Sequence, residues 1–143
     1  MKKIFILALF ACLAFSNSNL MKLQTNLSVD EATKKAVEIL KSKQLKVFDI
    51  IEHSKLAKDV GLDMSDTTVV IFGSPKVGTL LMQCSNEIAI ELPLKFLIYK
   101  NQDKTILAYE DIKQIAKRYN AQDCKIVSKI SEVQNKLSHA IAN

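Results

Sequence analysis

The stretch "TTVVIFGSPKVGT", residues 67–79, joins the most strongly β-forming segment of the chain to a helix start. Its run of β-branched and aromatic residues predicts a strand that reaches Gly73. Ser74 is suited to accept a hydrogen bond from a free helix amide, and Pro75 has no amide hydrogen to leave unpaired. The sequence therefore predicts a strand followed at once by a helix that begins at Pro75.

The same stretch has part of the spacing of a phosphate-binding loop, with four residues between Gly73 and Gly78 and a Thr after the second glycine. In such loops a Lys precedes the Ser or Thr and reaches the phosphates, and the helix starts only after the glycine-rich segment. Here no Lys follows Gly78, and the predicted helix already includes that glycine. We therefore do not expect nucleotide binding at this turn.

Gly78 is an unfavourable residue for a helix interior, where Gly costs about 1 kcal/mol relative to Ala. A structural explanation is close packing of the helix on the sheet. A functional explanation is that Gly78 forms the floor of a ligand site, with Lys76 and Thr79 at its rim. We favour the packing explanation.

Periodicity predicts the remaining elements. Ser28 and Glu31 have the spacing of a capping box, which starts a first amphipathic helix. Alternating apolar positions predict further strands, including a hairpin, and helical spacing predicts two short helices and a long C-terminal one. The predicted ranges are 20–26, 29–43, 45–51 and 53–61 before the central stretch, and 93–100, 105–109, 112–119 and 126–141 after it.

The first sixteen residues have the three-part form of a secretory signal peptide. Two lysines precede an apolar run over residues 4–15, and small residues follow. At about a dozen residues, the run is shorter than the roughly 20 that a transmembrane helix needs, and no later run is longer. We expect cleavage after Ser16, export to the periplasm without a transmembrane span, and one mature domain over residues 17–143. A lipoprotein anchored through Cys12 is the less favoured alternative.

Charge and cysteine content narrow the class of protein. The chain has 20 basic and 15 acidic side chains, a net charge of +5, and loss of the two signal-peptide lysines lowers it to +3. Because the lysines are scattered among acids and form no dense basic run, binding to nucleic acid is poorly supported. The mature chain keeps Cys84 and Cys124. In an oxidising compartment their number invites a disulfide, but spacing alone leaves a bridge and two separate buried thiols equally open.

The assembled residues resemble a known family, the bacterial and archaeal domain of unknown function 302 family. The segments "IIEHSKLAKDVGLDMSDTTVVIFGSPKVGTLLMQ" (50–83) and "LPLKFLIYKNQDKTILAYED" (92–111) are similar to its motifs, which include a "FGNPKAGTPLMQ"-like segment. The resemblance covers roughly Lys22 to Tyr119. Residues on motif positions are His53, Gly73, Pro75, Lys76, Gly78, Thr79, Met82, Pro93 and Tyr109.

The resemblance implies an α+β fold in which helices pack on one face of a curved antiparallel sheet, resembling the TATA-binding-protein-like class. That class describes shape and does not imply DNA binding. The chain departs from the family pattern at Ser74, where Asn is usual, and at Tyr119 and Asn120, near where His-Gly often occurs.

The favoured hypothesis is a binding module. A small ligand or a protein partner would lie between the sheet and the helix start at Ser74–Thr79, whose free amides favour an anionic group. The identity of the ligand, of any cofactor and of the partner is unknown from the sequence. The ligand-binding candidates are His53, Ser74, Lys76, Thr79, Met82 and Tyr109.

The alternative hypothesis is an enzyme, or a redox or soft-metal protein, that uses His53 with Cys84 or Tyr109. The sequence locates no acid and nucleophile to accompany His53, so the catalytic residues stay unknown and we favour a role without catalysis. Met82 and Cys84 stand two apart on the predicted helix and do not share a face, so we favour core packing for Met82 and expect no metal site. A homodimer through the sheet or the C-terminal helix is compatible with either hypothesis.

Overall fold

The computed structural model describes residues 19–143, so the predicted signal peptide and Cys12 lie outside the described residues. Strands and helices alternate through the first six elements, and a 3-10 helix, two consecutive strands and two helices follow. The elements are β1 (Leu20–Thr25), α1 (Val29–Ser42), β2 (Lys46–Glu52), α2 (His53–Asp59), β3 (Thr67–Gly73), α3 (Pro75–Met82), the 3-10 helix (Asn86–Glu91), β4 (Leu94–Asn101), β5 (Lys104–Glu110), α4 (Ile112–Arg118) and α5 (Ile126–Ala142).

Side-chain caps fix where the helices begin. Ser28 Oγ accepts a hydrogen bond from the Glu31 amide (3.2 Å), and Glu31 Oε2 accepts one from the Ser28 amide (2.8 Å), which closes the predicted capping box of α1. Ser74 caps α3, which begins at Pro75, and Asp111 caps α4. The predicted starts of these helices are confirmed.

The five strands form one antiparallel sheet in the order β1-β5-β4-β3-β2. β4 is the middle strand and forms the predicted hairpin with β5, closed by a turn in which Gln102 has a φ of 53°. A β-bulge interrupts the pairing of β2 with β3 between Val47 and Asp49. The α+β class with an antiparallel sheet is confirmed, whereas the likeness to the TATA-binding-protein-like class stays a prediction.

Helices α1 and α5 cover one face of the sheet. The centre of this core is Phe96, which stacks on Phe72 (4.5 Å between ring centroids) and meets Tyr109 edge to face (5.7 Å). Leu40 of α1 and Ile141 of α5 belong to the same buried cluster. The apolar stripe of α5 therefore packs within the chain, on α1 and the sheet.

The other face, which we call the open face, carries a second set of apolar side chains. Strand register places them there, and neither buried cluster of the described residues includes them. The open-face apolar residues are Ile51, Val69, Ile71, Leu97, Tyr99, Ile106 and Ala108.

A second buried cluster lies where α3, the 3-10 helix and α4 meet the first half of α5. Gln134 of α5, 1 % exposed, ties this cluster to the end of β5. Its Oε1 accepts a hydrogen bond from the Ile112 amide (2.9 Å), and its Nε2 donates one to the Glu110 carbonyl oxygen (3.0 Å). Because both halves of the amide group are paired, the buried glutamine fixes α5 against the β5–α4 junction.

Two features differ from what periodicity suggested. Helix α2 forms as predicted, but Leu56 within it and Val60 just after it are 53 % and 71 % exposed. Its Ser54 Oγ accepts a hydrogen bond from the Thr67 amide (3.3 Å). The 3-10 helix was not predicted. Within residues 19–143, no helix combines the length and apolar character that crossing a bilayer would require.

Candidate functional site

A cavity of ≈ 220 Å³ lies between the start of α3, the 3-10 helix and the Leu92–Pro93 connection. We call it the α3 cavity. Among the fourteen described residues that line it, Ser74 alone is polar. The Ser74 hydroxyl oxygen accepts a hydrogen bond from the Val77 amide (3.5 Å), so it serves the helix cap. The arrangement suits an apolar ligand.

The bulge in β2 brings Phe48 to this cavity. An extra residue at a bulge bends the strand and redirects a side chain, and here the ring of Phe48 lies beside Gly73, with 3.8 Å between ring Cε2 and an ideal Cβ built at that glycine. The Lys46 ammonium stands 4.7 Å from the centroid of the same ring. A positive charge therefore lies next to the aromatic wall, at residues that sequence reasoning missed because a bulge leaves no mark in the alternation.

Gly78 lines the α3 cavity and does not pack on the sheet. The closest atom that an added Cβ would meet is Leu92 Cδ1 at 3.9 Å, an ordinary van der Waals distance. The packing explanation that we favoured from the sequence is therefore not supported, because a methyl group would fit. What the glycine provides is open volume beside Leu92.

A second cavity of ≈ 190 Å³ adjoins the first on the side of α5. It shares five lining residues with the α3 cavity and is closed by side chains of α5, including Val133 and Leu137. The turn between β3 and α3 thus has apolar space on both sides.

The structure separates the predicted site residues into two groups. Ser74 and Met82 line the α3 cavity, whereas Lys76 and Thr79 are exposed on α3 outside its lining. Thr79 donates its hydroxyl hydrogen to the carbonyl oxygen of Pro75 (2.8 Å). Lys76 follows Pro75 and precedes Val77, which both line the cavity. Its side chain is exposed, so it can approach a ligand at this helix start.

His53 and Tyr109 lie elsewhere. Glu52, just before His53, pairs with Thr68 at one end of β3, and α3 follows the other end of the same strand. At about 3.3 Å per strand residue, His53 is roughly 20 Å from Ser74. Tyr109 is 2 % exposed in the core against Phe96. The structure therefore does not bring these two candidates to the α3 cavity.

Cys84 and Cys124 form a disulfide, with 6.1 Å between their Cα atoms. The bond joins the end of α3 to the segment before α5, so it closes the second cluster at its outer side. A cysteine in this state has no thiolate for nucleophilic or metal chemistry. Among residues 19–143, no three His, Cys, Asp or Glu side chains come together as a metal site.

Four polar side chains that sequence reasoning missed form a network beside the 3-10 helix. Arg118 pairs with Glu91 (Nη2 to Oε1, 3.0 Å) and with both carboxylate oxygens of Glu110, and the Tyr119 hydroxyl donates to Glu91 (2.8 Å). These hydrogen bonds hold the pKa of Glu91 below, and the pKa of Tyr119 above, its ordinary value. Since the charges satisfy one another, the network joins α4, β5 and the 3-10 helix.

Replacing Glu91 by Gln is expected to make the free energy of unfolding depend less on pH in the acid range. Hydrogen bonds from Tyr119 and Arg118 lower the pKa of Glu91 from its usual 4.5 in the folded chain. A carboxyl group with a lowered pKa stabilises the fold above its unfolded pKa, and the contribution disappears as pH falls through the folded pKa. The effect is at most about 1 kcal/mol, because the pair is partly exposed.

Urea unfolding of wild type and Glu91→Gln, measured from neutral pH down to below pH 4.5, checks this prediction. The two stability curves should converge in acid. Glu87→Gln, a change of an exposed acid on the same 3-10 helix, is the control and should leave the curve parallel to wild type. A Glu91→Gln curve that stays a constant distance below wild type would contradict the proposed cause.

The fold and the cavity together define a small α+β domain with an apolar, ligand-sized cavity. A family model described as "Domain of unknown function DUF302" matches residues 21–143, and the chain belongs to this family, as its motifs predicted. The solved structure of an uncharacterized conserved DUF302 protein from Bacillus stearothermophilus is similar, with a TM-score of 0.71 and 14 % identity over 86 % of this chain and 94 % of that one. At this identity the likeness shows the fold alone.

Curated relatives carry a channel name. The chain is 31 % identical over 105 residues to "Fluoride-specific ion channel FluC 1" of Brucella suis biovar 1 and of Brucella abortus biovar 1, and to "FluC 2" of Brucella melitensis biotype 1. The match covers 73 % of this chain, 41 % of the first relative and 39 % of the other two. The chain thus spans about two fifths of the length of these relatives.

Proposed function

We propose that the chain is an exported, periplasmic binding module without catalytic activity, which holds a small and largely apolar molecule in the α3 cavity. The observation that carries the proposal is a cavity of ≈ 220 Å³ in which Ser74, the only polar lining residue within residues 19–143, is engaged in capping α3. An apolar cavity of about 150 Å³ in another protein binds benzene. A cavity of this size therefore suits a ligand of one or two fused rings.

The anionic group predicted at Ser74–Thr79 fits this proposal as a second part of the ligand. Lys76 follows lining residue Pro75 and is exposed, and the Lys46 ammonium lies over the Phe48 ring. A carboxylate on an aromatic body would find positive charge and the positive end of the α3 dipole on the same side. We propose an aromatic or alicyclic acid as the ligand class.

Indole binding tests the apolar part. Titration of indole into the protein purified from the periplasm, followed by amide NMR shifts, should perturb residues around Gly78 and Leu92. Gly78→Leu should lower the affinity at least about tenfold, because the new side chain occupies the volume beside Leu92. Gln83→Leu adds the same side chain at an exposed position just after α3 and should leave the affinity unchanged.

Two results would overturn the proposal: no saturable shift with indole, or equal loss of affinity in Gly78→Leu and Gln83→Leu. The anionic part is tested with indole-3-carboxylate. Lys76→Glu should weaken the acid about threefold or more while leaving neutral indole unchanged. Fluoride is titrated in parallel because of the names of the curated relatives. A response to fluoride without one to indole would replace the proposal by inorganic-anion binding.

A further inference from the structure

The Cys84–Cys124 disulfide lies at the surface of the molecule. Cys84 is exposed and Cys124 is half-buried. Both line a surface depression of ≈ 470 Å³ between the end of α3 and the start of α5. A disulfide inside a packed core is protected from thiols, whereas one in such a position is accessible to them. The residues that line the depression are Leu80, Cys84, Asp123, Cys124, Lys125 and Ile126.

The depression suits a contact with another protein. Leu80 of α3 is 44 % exposed, and Ile126 at the start of α5 is half-buried, so both helices present apolar surface beside the bond. Exposed apolar surface around a reactive group is typical of a site that a second protein covers. The disulfide defines the chemistry of that protein, because the group that reacts with a disulfide is a thiolate. The expected partner is therefore a protein that carries a pair of thiols.

The two sulfurs differ as leaving groups. Cys84 follows the C-terminal end of α3, where a helix dipole is negative. Cys124 comes just before α5, which has 17 residues, begins without a side-chain cap and has no acidic residue in its first turn. Asp123 and Lys125 flank Cys124 with opposite charges, and the Leu80 carbonyl oxygen lies 3.7 Å from one sulfur and 3.8 Å from the other. Because a thiolate is stabilised at a helix N-terminus, Cys124 is the better leaving group, and the more exposed Cys84 is the sulfur that is attacked.

We propose that the Cys84–Cys124 bond of the folded chain is an exchange site for a protein dithiol. A thiolate of the partner attacks Cys84 Sγ, the S–S bond breaks, and Cys124 leaves as a thiolate that takes up a proton. The second thiol of the partner loses its proton, attacks the partner's own sulfur in the mixed disulfide and releases Cys84, which is protonated in turn. Two electrons and two protons thus pass to this chain, which gains two thiols, and the partner becomes a disulfide.

In this role the bond is a substrate of exchange, and the chain itself does not act as a catalyst. The role requires neither His53 nor the α3 cavity, whose lining contains neither cysteine. Because the bond closes a loop of 40 residues, its reduction leaves a less stable chain. The stability of the chain then depends on the thiol–disulfide balance of its compartment. The failure of the ligand proposal would leave this one standing.

Reduction of the folded protein by thioredoxin, kept reduced by its reductase and NADPH, tests whether the bond is accessible. The consumption of NADPH gives the rate at several urea concentrations below the unfolding transition, and a linear disulfide peptide reduced in parallel corrects for the effect of urea on thioredoxin. If the folded chain presents the bond, the corrected rate should change less than about twofold over this range. A rate that rises in proportion to the unfolded fraction overturns the proposal, and so does the absence of reduction.

A thioredoxin variant that lacks its second active-site cysteine traps the mixed disulfide and identifies the attacked sulfur. After alkylation and digestion, mass spectrometry should find the partner on Cys84 at least about tenfold more often than on Cys124. Trapping mainly on Cys124 overturns the assignment.

Two charge changes test the leaving group with dithiothreitol, an uncharged dithiol. Lys125→Glu places a negative charge beside the leaving thiolate of Cys124 and should slow reduction about threefold or more. Lys22→Glu makes the same change of charge at an exposed position on β1 and should leave the rate unchanged. Equal rates in the two variants would contradict the role of Cys124 as the leaving group.

Discussion

Loss of the Cys84–Cys124 disulfide is expected to lower the free energy of unfolding by about 4 kcal/mol. The bond spans 40 residues of sequence, and a cross-link over a loop of that length removes about this much chain entropy from the unfolded state. The loop contains the 3-10 helix, the β4–β5 hairpin and α4, so most of the second cluster lies inside it. Its effect should therefore appear as a change of global stability.

Urea unfolding with and without a thiol reductant measures this loss. The double variant Cys84→Ser, Cys124→Ser should match the reduced wild type and should not respond to reductant. Cys124→Ser alone should lose nearly as much as the double variant, because one partner suffices to remove the bond. Equal stability of the oxidised and reduced wild type would contradict the expectation.

The bond also bears on the alternative of a redox or enzymatic protein. That hypothesis paired His53 with Cys84 or Tyr109. In the structure Cys84 is bonded, Tyr109 is in the core, and His53 lies at the far end of β3 from α3. The geometry thus favours the binding hypothesis, and reductant should leave the affinity for indole largely unchanged as long as the protein stays folded.

Local sequence signals predicted the elements because each depends on residues close together in the chain. The capping box of Ser28 and Glu31, and Ser74 followed by Pro75, act within one helical turn, and the structure contains both. The β-forming run at residues 67–73 and the alternating apolar positions after the central stretch likewise predicted strands that the structure contains. These features decide the fold class without reference to the rest of the molecule.

The α3 cavity could not be predicted in this way, because three distant segments form it. Phe48 reaches it through a bulge, Ala89 comes from a 3-10 helix without a clear periodic signal, and Ile112 comes from the start of α4. The motif residues Ser74 and Met82 line the cavity, but a single helix does not define a cavity. His53 stands in the same motif segment as α3 and Tyr109 in the second one, yet the fold places both away from the α3 cavity.

Replacing Gln134 by Leu is expected to cost roughly 2–6 kcal/mol of stability. The new side chain has a similar volume and is apolar, but it leaves the Ile112 amide and the Glu110 carbonyl oxygen without their partners (2.9 and 3.0 Å in the wild type). Leaving a buried polar group unpaired costs about 1–3 kcal/mol each. The loss therefore exceeds what an exchange of one solvent-facing residue would cause.

Urea unfolding of Gln134→Leu measures the cost, and Asn135→Leu, at the next and exposed position of α5, is the matched control. Hydrogen exchange at the Ile112 amide separates the cause from general loosening. In the variant this amide should exchange much faster than in wild type. The amides that pair β3 with β4 should change their exchange rates only as far as the change in global stability requires. Unchanged exchange at Ile112 would mean that another acceptor replaces the glutamine.

The same variant connects the core to the proposed ligand site. Ile112 lines the α3 cavity, and its backbone is positioned by the Gln134 side chain. If that hydrogen bond holds the cavity wall in place, Gln134→Leu should weaken indole binding even under conditions in which the protein is fully folded. Gln134 lines the adjoining second cavity and not the α3 cavity, so an effect on indole held in the α3 cavity would come from the position of the wall and not from a lost contact with the ligand.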